Sequence, residues 1–245
     1  MRTFSLPNTH RHPELDYNAF CQCAYEHSGN FYDFYPQDCS RLAVSFGDLP
    51  STGGVRSLNG QSINVPCLQA LVRGLTAGSR DDLAGLAREL NGTLYLLGPQ
   101  DLCVPWFYAR IDPVRRQVQY VNAGHEPPLL IRQNGSIERL ERTGAALGLS
   151  TRGLHRSATT AIEAGDVLAI FSEALSERIV LHVVLEHPHA GSAELAQRVL
   201  EEARKSTGRP WMGEDRTFAA VRVLGTCRHP LLEEHAEDVM VMCAA

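Results

Sequence analysis

The sequence predicts an α+β domain in which many antiparallel strands are interrupted by two or three helices. Three observations carry that expectation. Short apolar, β-rich runs recur along the 245 residues, bounded by Gly, Pro, Asn and Asp. Asn134-Gly135, between two such runs, is a hairpin signal. Two longer stretches instead repeat apolar residues at helical spacing.

The first strands fall at Leu15 to Tyr25 and Arg41 to Phe46. The segment from Gly53 to Gly78 is mixed: Asn59-Gly60 and Pro66 break its first half, and helical content is confined to Cys67 to Thr76. A clearer helix follows. Ser79 serves as its N-cap, Asp81 and Asp82 suit its first turn, and Leu83, Leu86, Ala87, Leu90 and Leu94 form one stripe. Further strands are expected at Val104 to Ile111, Gln117 to Asn122, Leu129 to Arg132, Ile137 to Leu140, Ser157 to Ile162 and Val167 to Phe171. A second amphipathic helix covers about Ala193 to Lys205, with Leu195, Val199, Leu200 and Ala203 inward, and Thr217 to Leu224 closes the set as a strand. Neither a repeat nor a linker divides the chain. One domain over 1–245 is expected, with a core of about 6–224 and a tail, 225–245, of unassigned role.

Composition narrows the function classes. Hydrophobic residues make up 44% and charged residues 21%, enough to bury a core. The net charge of −5, without a Lys/Arg block, disfavours nucleic-acid and membrane-surface partners, which need a concentrated positive face. Met1 to Tyr17 lacks the apolar core of a signal peptide, and no run approaches the ~20 apolar residues of a membrane span. Seven Cys without framework spacing fit free thiols in a cytoplasmic protein. Cys21-x-Cys23 reads as two thiols on one face of a strand, because no second ligand pair stands at finger-like spacing.

The candidate chemistry lies in carboxylates at strand ends. Asp48 follows the apolar Val44-Ser45-Phe46-Gly47, Glu173 follows Val167 to Phe171, and Asp215 precedes the strand at Thr217. Each either caps a turn or, if the three converge, contributes to an oxygen-rich site for magnesium or manganese. Spacing alone does not choose between these.

Five segments in order resemble the PPM-type, SpoIIE/RsbU-like serine/threonine phosphatases. Ser28-Gly29-Asn30-Phe31-Tyr32-Asp33-Phe34 resembles their Gly-Gly-Asp-Phe-Tyr-Asp-Phe segment, and Gly47-Asp48 their Gly-Asp-Val-Ser-Gly-Lys-Gly motif. Asn122-Ala123-Gly124-His125-Glu126-Pro127-Pro128 resembles their Asn-Ala-Gly-His-x-Pro-Pro hairpin. Gly165-Asp166-Val167-Leu168 with Phe171-Ser172-Glu173-Ala174, and Glu214-Asp215-Arg216-Thr217, resemble the Gly-Asp-x-Leu, Thr-Asp-Gly and Asp-Asp-x-Thr elements. The resemblance implies two antiparallel sheets packed face to face with helices outside. It also implies up to two Mn2+ or Mg2+ ions, held by Asp48, the Leu49 carbonyl, Glu173, Asp215 and the neutral oxygen of Asn30. The implied reaction is in-line hydrolysis of phosphoserine or phosphothreonine, without a phosphoenzyme. Its substrate would be a small phosphorylated regulator of the anti-sigma-factor antagonist kind.

The chain departs from that pattern near the chemistry. Asn30 replaces an Asp, Glu173-Ala174 replaces Asp-Gly, Leu49 replaces a small residue whose bulk would crowd a second ion, and Pro105 replaces a Thr at the expense of a ladder bond. Asp33, Glu26 and Glu214 are possible compensating acids, Asp33 reading first as a solvated carboxylate at a turn or strand edge. His125 reads as a hairpin residue satisfied by backbone. These departures make a catalytically impaired pseudophosphatase, acting as a regulatory binding module, the alternative expectation.

Overall fold

The computed structural model describes residues 2–5, 12–23, 29–38, 40–49, 55–56, 62–78, 82–99, 102–151, 153–206 and 215–225. Two antiparallel sheets stack face to face, each covered outside by a helix pair. The six-stranded sheet runs β1 (Arg2–Ser5), β2 (Leu15–Cys23), β13 (Arg216–Val223), β12 (Val167–Phe171), β9 (Leu129–Ile131) and β10 (Ile137–Arg139). The five-stranded sheet runs β11 (Ala158–Ala161), β8 (Gln117–Ala123), β7 (Trp106–Asp112), β4 (Leu42–Asp48) and β3 (Asn30–Pro36). A small ribbon pairs β5 (Val55–Arg56) with β6 (Ser62–Ile63).

Burial explains the layers. Alternate residues of both sheets, among them Tyr17, Ala19, Val44, Phe46, Phe107, Ile170 and Ala219, meet between them. The opposite face of the five-stranded sheet, with Trp106 and Tyr108, packs under α1 (Val65–Gly78) and α2 (Leu83–Leu97). The opposite face of the six-stranded sheet, with Ala169, Phe171 and Phe218, packs under α3 (Glu177–Glu186) and α4 (Ser192–Ser206). Because both faces of each central strand are covered, β12 reads as a continuous apolar run and β7 is buried along its whole length, Arg110 and Asp112 included.

The expected strands and helices are present, with ends shifted by a few residues, and five elements are additional: α3, β1, β3 and the β5–β6 ribbon. α3, Ser-Glu-Arg-Ile-Val-Leu-His-Val-Val-Leu-Glu from its N-cap, is rich in β-branched residues that weaken helix propensity. Its Val180, Val183 and Val184 nevertheless fall on one stripe and bury against the sheet, and that packing decides the matter. β1 pairs with β2 although its sequence is polar, and β3 forms the edge beyond β4. α1 begins earlier than expected: the Asn64 carboxamide caps it, accepting from Cys67 N at 3.0 Å. Pro66 then sits in the first turn, where its missing N–H leaves no helical bond unmade. α2 is capped by Asp82, whose side chain accepts from Gly85 N at 2.7 Å; Ser79 and Asp81 lie outside the described residues. No helix among the described residues is long and apolar enough to cross a membrane.

Candidate metal centre

The candidate residues collect where the ends of β3, β4, β12 and β13 face each other. Asn30 opens β3 and pairs across the ladder with Asp48, the last residue of β4. Two contacts fix the Asp48 backbone: its N–H donates to the Pro105 carbonyl at 3.1 Å, and Leu49 N–H donates to the Gly29 carbonyl at 2.9 Å. Pro105 stands just before β7, opposite Asp48. Its carbonyl holds Asp48, but without an N–H it cannot return the reciprocal bond to the Asp48 carbonyl, so one ladder bond is lost there. Gly47 allows that approach, since a Cβ there would lie 2.8 Å from the Pro105 carbonyl oxygen and 2.6 Å from the Phe31 ring.

Asp48 is exposed, whereas the Leu49 side chain is buried. That side chain joins the core under α1 and α2, so its bulk is not spent on the carboxylate side, contrary to the crowding expected from sequence. Gly29 leaves space between two oxygen donors. A Cβ on it would fall 2.0 Å from the Leu49 carbonyl oxygen and 2.9 Å from Asp48 Oδ1. The cradle is thus lined by hard oxygen donors, the chemistry that suits magnesium or manganese.

The opposing sheet supplies the other residues. Glu173 is exposed in the turn that follows β12, and Asp215 is half-buried immediately before β13. Ser172 ties the two together: its N–H donates to the Thr217 carbonyl at 3.0 Å, its hydroxyl donates to the Asp215 carbonyl at 3.3 Å, and Thr217 N–H donates to Ser172 Oγ at 3.0 Å. Asn30 closes the gap between sheets. Its amide nitrogen donates to the Asp215 main-chain carbonyl at 3.2 Å and to Thr217 Oγ1 at 2.9 Å. A carboxylate has no N–H to give, so an Asp in the same pose would face a carbonyl oxygen with like partial charge. The Asn is a neutral clamp.

The structure thus brings the backbone around residues 30, 48 and 215 together, with Glu173 one residue beyond the Ser172 link. Among the described residues, no three His, Cys, Asp or Glu side chains are gathered for one metal ion. Asp33 is not a solvated carboxylate. It is buried in β3 and takes two bonds of 2.6 Å from the Arg73 guanidinium of α1, which also lies over the Tyr35 ring. That pairing engages Asp33 away from a cation. Glu26 and Glu214 lie outside the described residues. His125 is buried in the hairpin after β8: Asn122 Oδ1 accepts from its N–H at 2.9 Å, and its Nδ1 lies 2.7 Å from the Glu126 carbonyl. Burial pushes its pKa down to about 4, the Glu126 carbonyl opposes that shift, and nearby Arg142 adds to it. A neutral, walled-in imidazole is a structural part of the hairpin.

Ser172 and Thr217 were not singled out from sequence. Their signal was available, since each flanks a candidate acid inside a resembling segment, but only pairing of β12 with β13 shows their hydroxyls joining the strand ends.

A profile of the family described as Stage II sporulation protein E (SpoIIE) matches residues 67–224. The chain belongs to the SpoIIE family. Among curated proteins, this SpoIIE-family chain is similar to the phosphoserine phosphatase RsbP of Bacillus subtilis (strain 168), at 21% identity over 219 residues, covering 86% of this chain and 53% of that protein. It spans about half the length of that relative. Among solved structures, it is similar to the PP2C phosphatase domain and regulatory fragment of the cell fate determinant SpoIIE from Bacillus subtilis, with TM-score 0.68 and 16% identity over 86% of this chain and 63% of that one. It is also similar to the catalytic domain of the serine threonine protein phosphatase PstP in complex with two manganese ions, with TM-score 0.60 and 16% identity over 86% of this chain and 99% of that one. SpoIIE membership and these structures agree on a PP2C-like fold.

Proposed function

We propose that the chain is a divalent-cation-dependent phosphatase acting on phosphoserine or phosphothreonine of a small regulatory protein, of the partner-switching kind. The observation that carries this reading is the oxygen cradle beside Gly29, where the Leu49 carbonyl and an Asp48 carboxylate oxygen converge at the end of β4. In this reading Asp48 and the Leu49 carbonyl hold the cation, with Glu173 and Asp215 facing them from the other sheet. A divalent ion there would supply Lewis acidity, neutralising phosphoryl charge and making water nucleophilic near neutral pH. The chain's own part is placement. The Pro105 and Gly29 carbonyls hold the Asp48 backbone, and the Ser172–Thr217 bonds hold the strand end that leads to Asp215.

The test is manganese-dependent hydrolysis of an aryl phosphate and of a phosphoserine peptide by the whole chain, with the ions bound per chain counted alongside. The expected result is turnover that rises with manganese and is lost in Asp48→Asn, which should weaken metal affinity by ~10–100-fold. Background turnover, equal in both proteins at saturating manganese, would reject it. A second reading, a pseudophosphatase that binds a regulator without turnover, is favoured by one observation: the position of the family's first Asp is a neutral Asn whose N–H groups clamp backbone and hydroxyl. Zero bound ions together with background turnover supports that reading.

A further inference from the structure

Behind the clamp lies a pair of thiols that the phosphatase reading does not use. Cys21 and Cys23 project from the same face of β2 into the layer between the sheets, and both are buried. Their sulfur atoms are 3.4 Å apart and share a hydrogen bond. Tyr32 of β3 packs in the same cluster, where burial and then the two thiols push its phenol pKa up. Cys21 is also joined to the candidate centre. Thr217 Oγ1 donates to Cys21 Sγ at 3.1 Å, and that same Thr217 oxygen accepts the Asn30 amide at 2.9 Å. An unbroken chain of bonds therefore runs from Cys23 through Cys21, Thr217 and Asn30 to the Asp215 carbonyl.

We propose that Cys21 and Cys23 form a reversible dithiol–disulfide switch, oxidised by a peroxide, that loosens the Asn30 clamp. The chemistry balances. One thiolate attacks a peroxide oxygen, the O–O bond breaks, water leaves and a sulfenic acid forms; the second thiolate then attacks that sulfur, releasing a second water and forming the S–S bond. Two electrons and two protons pass from the thiols to one hydrogen peroxide, and a dithiol reductant reverses the change by exchange. Residues two apart on a strand have both Cα and Cβ atoms about 6.6 Å apart, whereas a disulfide needs its Cβ atoms within about 4.5 Å, so forming the bond must bend β2 locally between Cys21 and Cys23. Closing a 3.4 Å contact to a bond of ~2.05 Å draws the Cys21 sulfur away from Thr217. The Thr217 hydroxyl then loses its acceptor, and the Asn30 amide loses a fixed partner. A small closed ring that bends its strand is reduced readily, which suits a switch rather than a staple. Both thiols are buried in an apolar layer, which makes them slow to react, so oxidation proceeds through local opening of that layer, whereas exposed Cys67 meets oxidant directly.

The test treats the whole chain with hydrogen peroxide, maps disulfides by mass spectrometry and follows amide hydrogen exchange. The expected result is a Cys21–Cys23 disulfide with exchange about tenfold faster in the peptides covering 29–32 and 215–218, equivalent to one lost hydrogen bond. Dithiothreitol should reverse both changes, and Cys23→Ser, which keeps the sulfur facing Thr217, should show neither. The wild-type reversal arm needs no variant, so the proposal stays testable even if Cys23→Ser folds poorly. Oxidation of Cys67 without a Cys21–Cys23 bond overturns it, as does that bond with unchanged exchange. Neither readout involves metal or phosphate, so failure here is distinct from failure of the phosphatase reading.

Discussion

The side-chain amide of Asn30 donates to the main-chain carbonyl of Asp215, 3.2 Å away, and so fastens an edge strand of one sheet to a central strand's entrance in the other. The contact spans residues 185 positions apart in sequence. It assigns a physical role to the departure from the family's Asp: a donor replaces a charge where a carbonyl must be held.

Asn30→Asp should therefore separate the two roles. Without added metal, the carboxylate meets a carbonyl oxygen and the Thr217 hydroxyl must turn to donate, so the protein should lose about 1–3 kcal/mol. Saturating manganese should return part of that loss, because binding to the folded state stabilises it by mass action. Chemical denaturation with and without manganese reads both terms. Equal stability of the variant and wild type in the absence of metal would count against the clamp.

Gly29→Ala should damage the cradle directly. The added methyl would stand 2.0 Å from the Leu49 carbonyl oxygen, a backbone atom held by Leu49's own bond to Gly29, so the loop must shift. A loss of about 2 kcal/mol or more is expected, in the range of overpacking. Manganese affinity should fall with it. Thermal unfolding and a metal titration check the pair, and retention of both would show that the cradle yields freely.

Arg73→Ala should leave the buried Asp33 carboxylate without its two-pronged partner. Because Arg73 is half-exposed, the expected loss is modest, about 1–3 kcal/mol. Combining it with Asp33→Asn should cost less than the two single changes summed, since the second removes the charge that the first strands. Arg73→Lys should restore only part of the loss, as a point charge cannot reproduce the fork. A double-mutant cycle in urea measures all three.

His125 sets a pH dependence. Its pKa is near 4 folded and 6.5 as the ordinary value, so between these the unfolded chain binds a proton that the folded chain refuses. Its contribution is intact above pH 6.5 and declines as pH falls towards 4, by ~3 kcal/mol in all. Urea unfolding at pH 7 and pH 4.5 should show a larger loss for wild type than for His125→Gln. Parallel losses in the two proteins would locate the acid sensitivity elsewhere.

Much of the fold was legible along the chain because its signals are local. The Asn134-Gly135 turn, the Leu83-to-Leu94 stripe and the apolar run of β12 each fix an element from its own residues. The Asp48 strand end was likewise visible, and so was the pairing of Cys21 with Cys23 on one face, which follows from a two-residue period. α3 escaped because its β-branched residues oppose helix on propensity, and only burial against the six-stranded sheet overrides them. The partner of Asp33 was equally hidden: a guanidinium 40 residues on, carried by a different element, leaves no local mark.

By itself, then, the sequence determined the alternation of elements and the residue types offered at strand ends, because hydrophobic period and turn chemistry act over a few neighbours. Tertiary structure alone decided that Asn30 meets Asp215 and Thr217, that Leu49 turns inward, and that the Cys21 thiol stands at the back of the same network. Those outcomes depend on stacking two sheets face to face, which brings together groups whose separation along the chain carries no information about their distance in space.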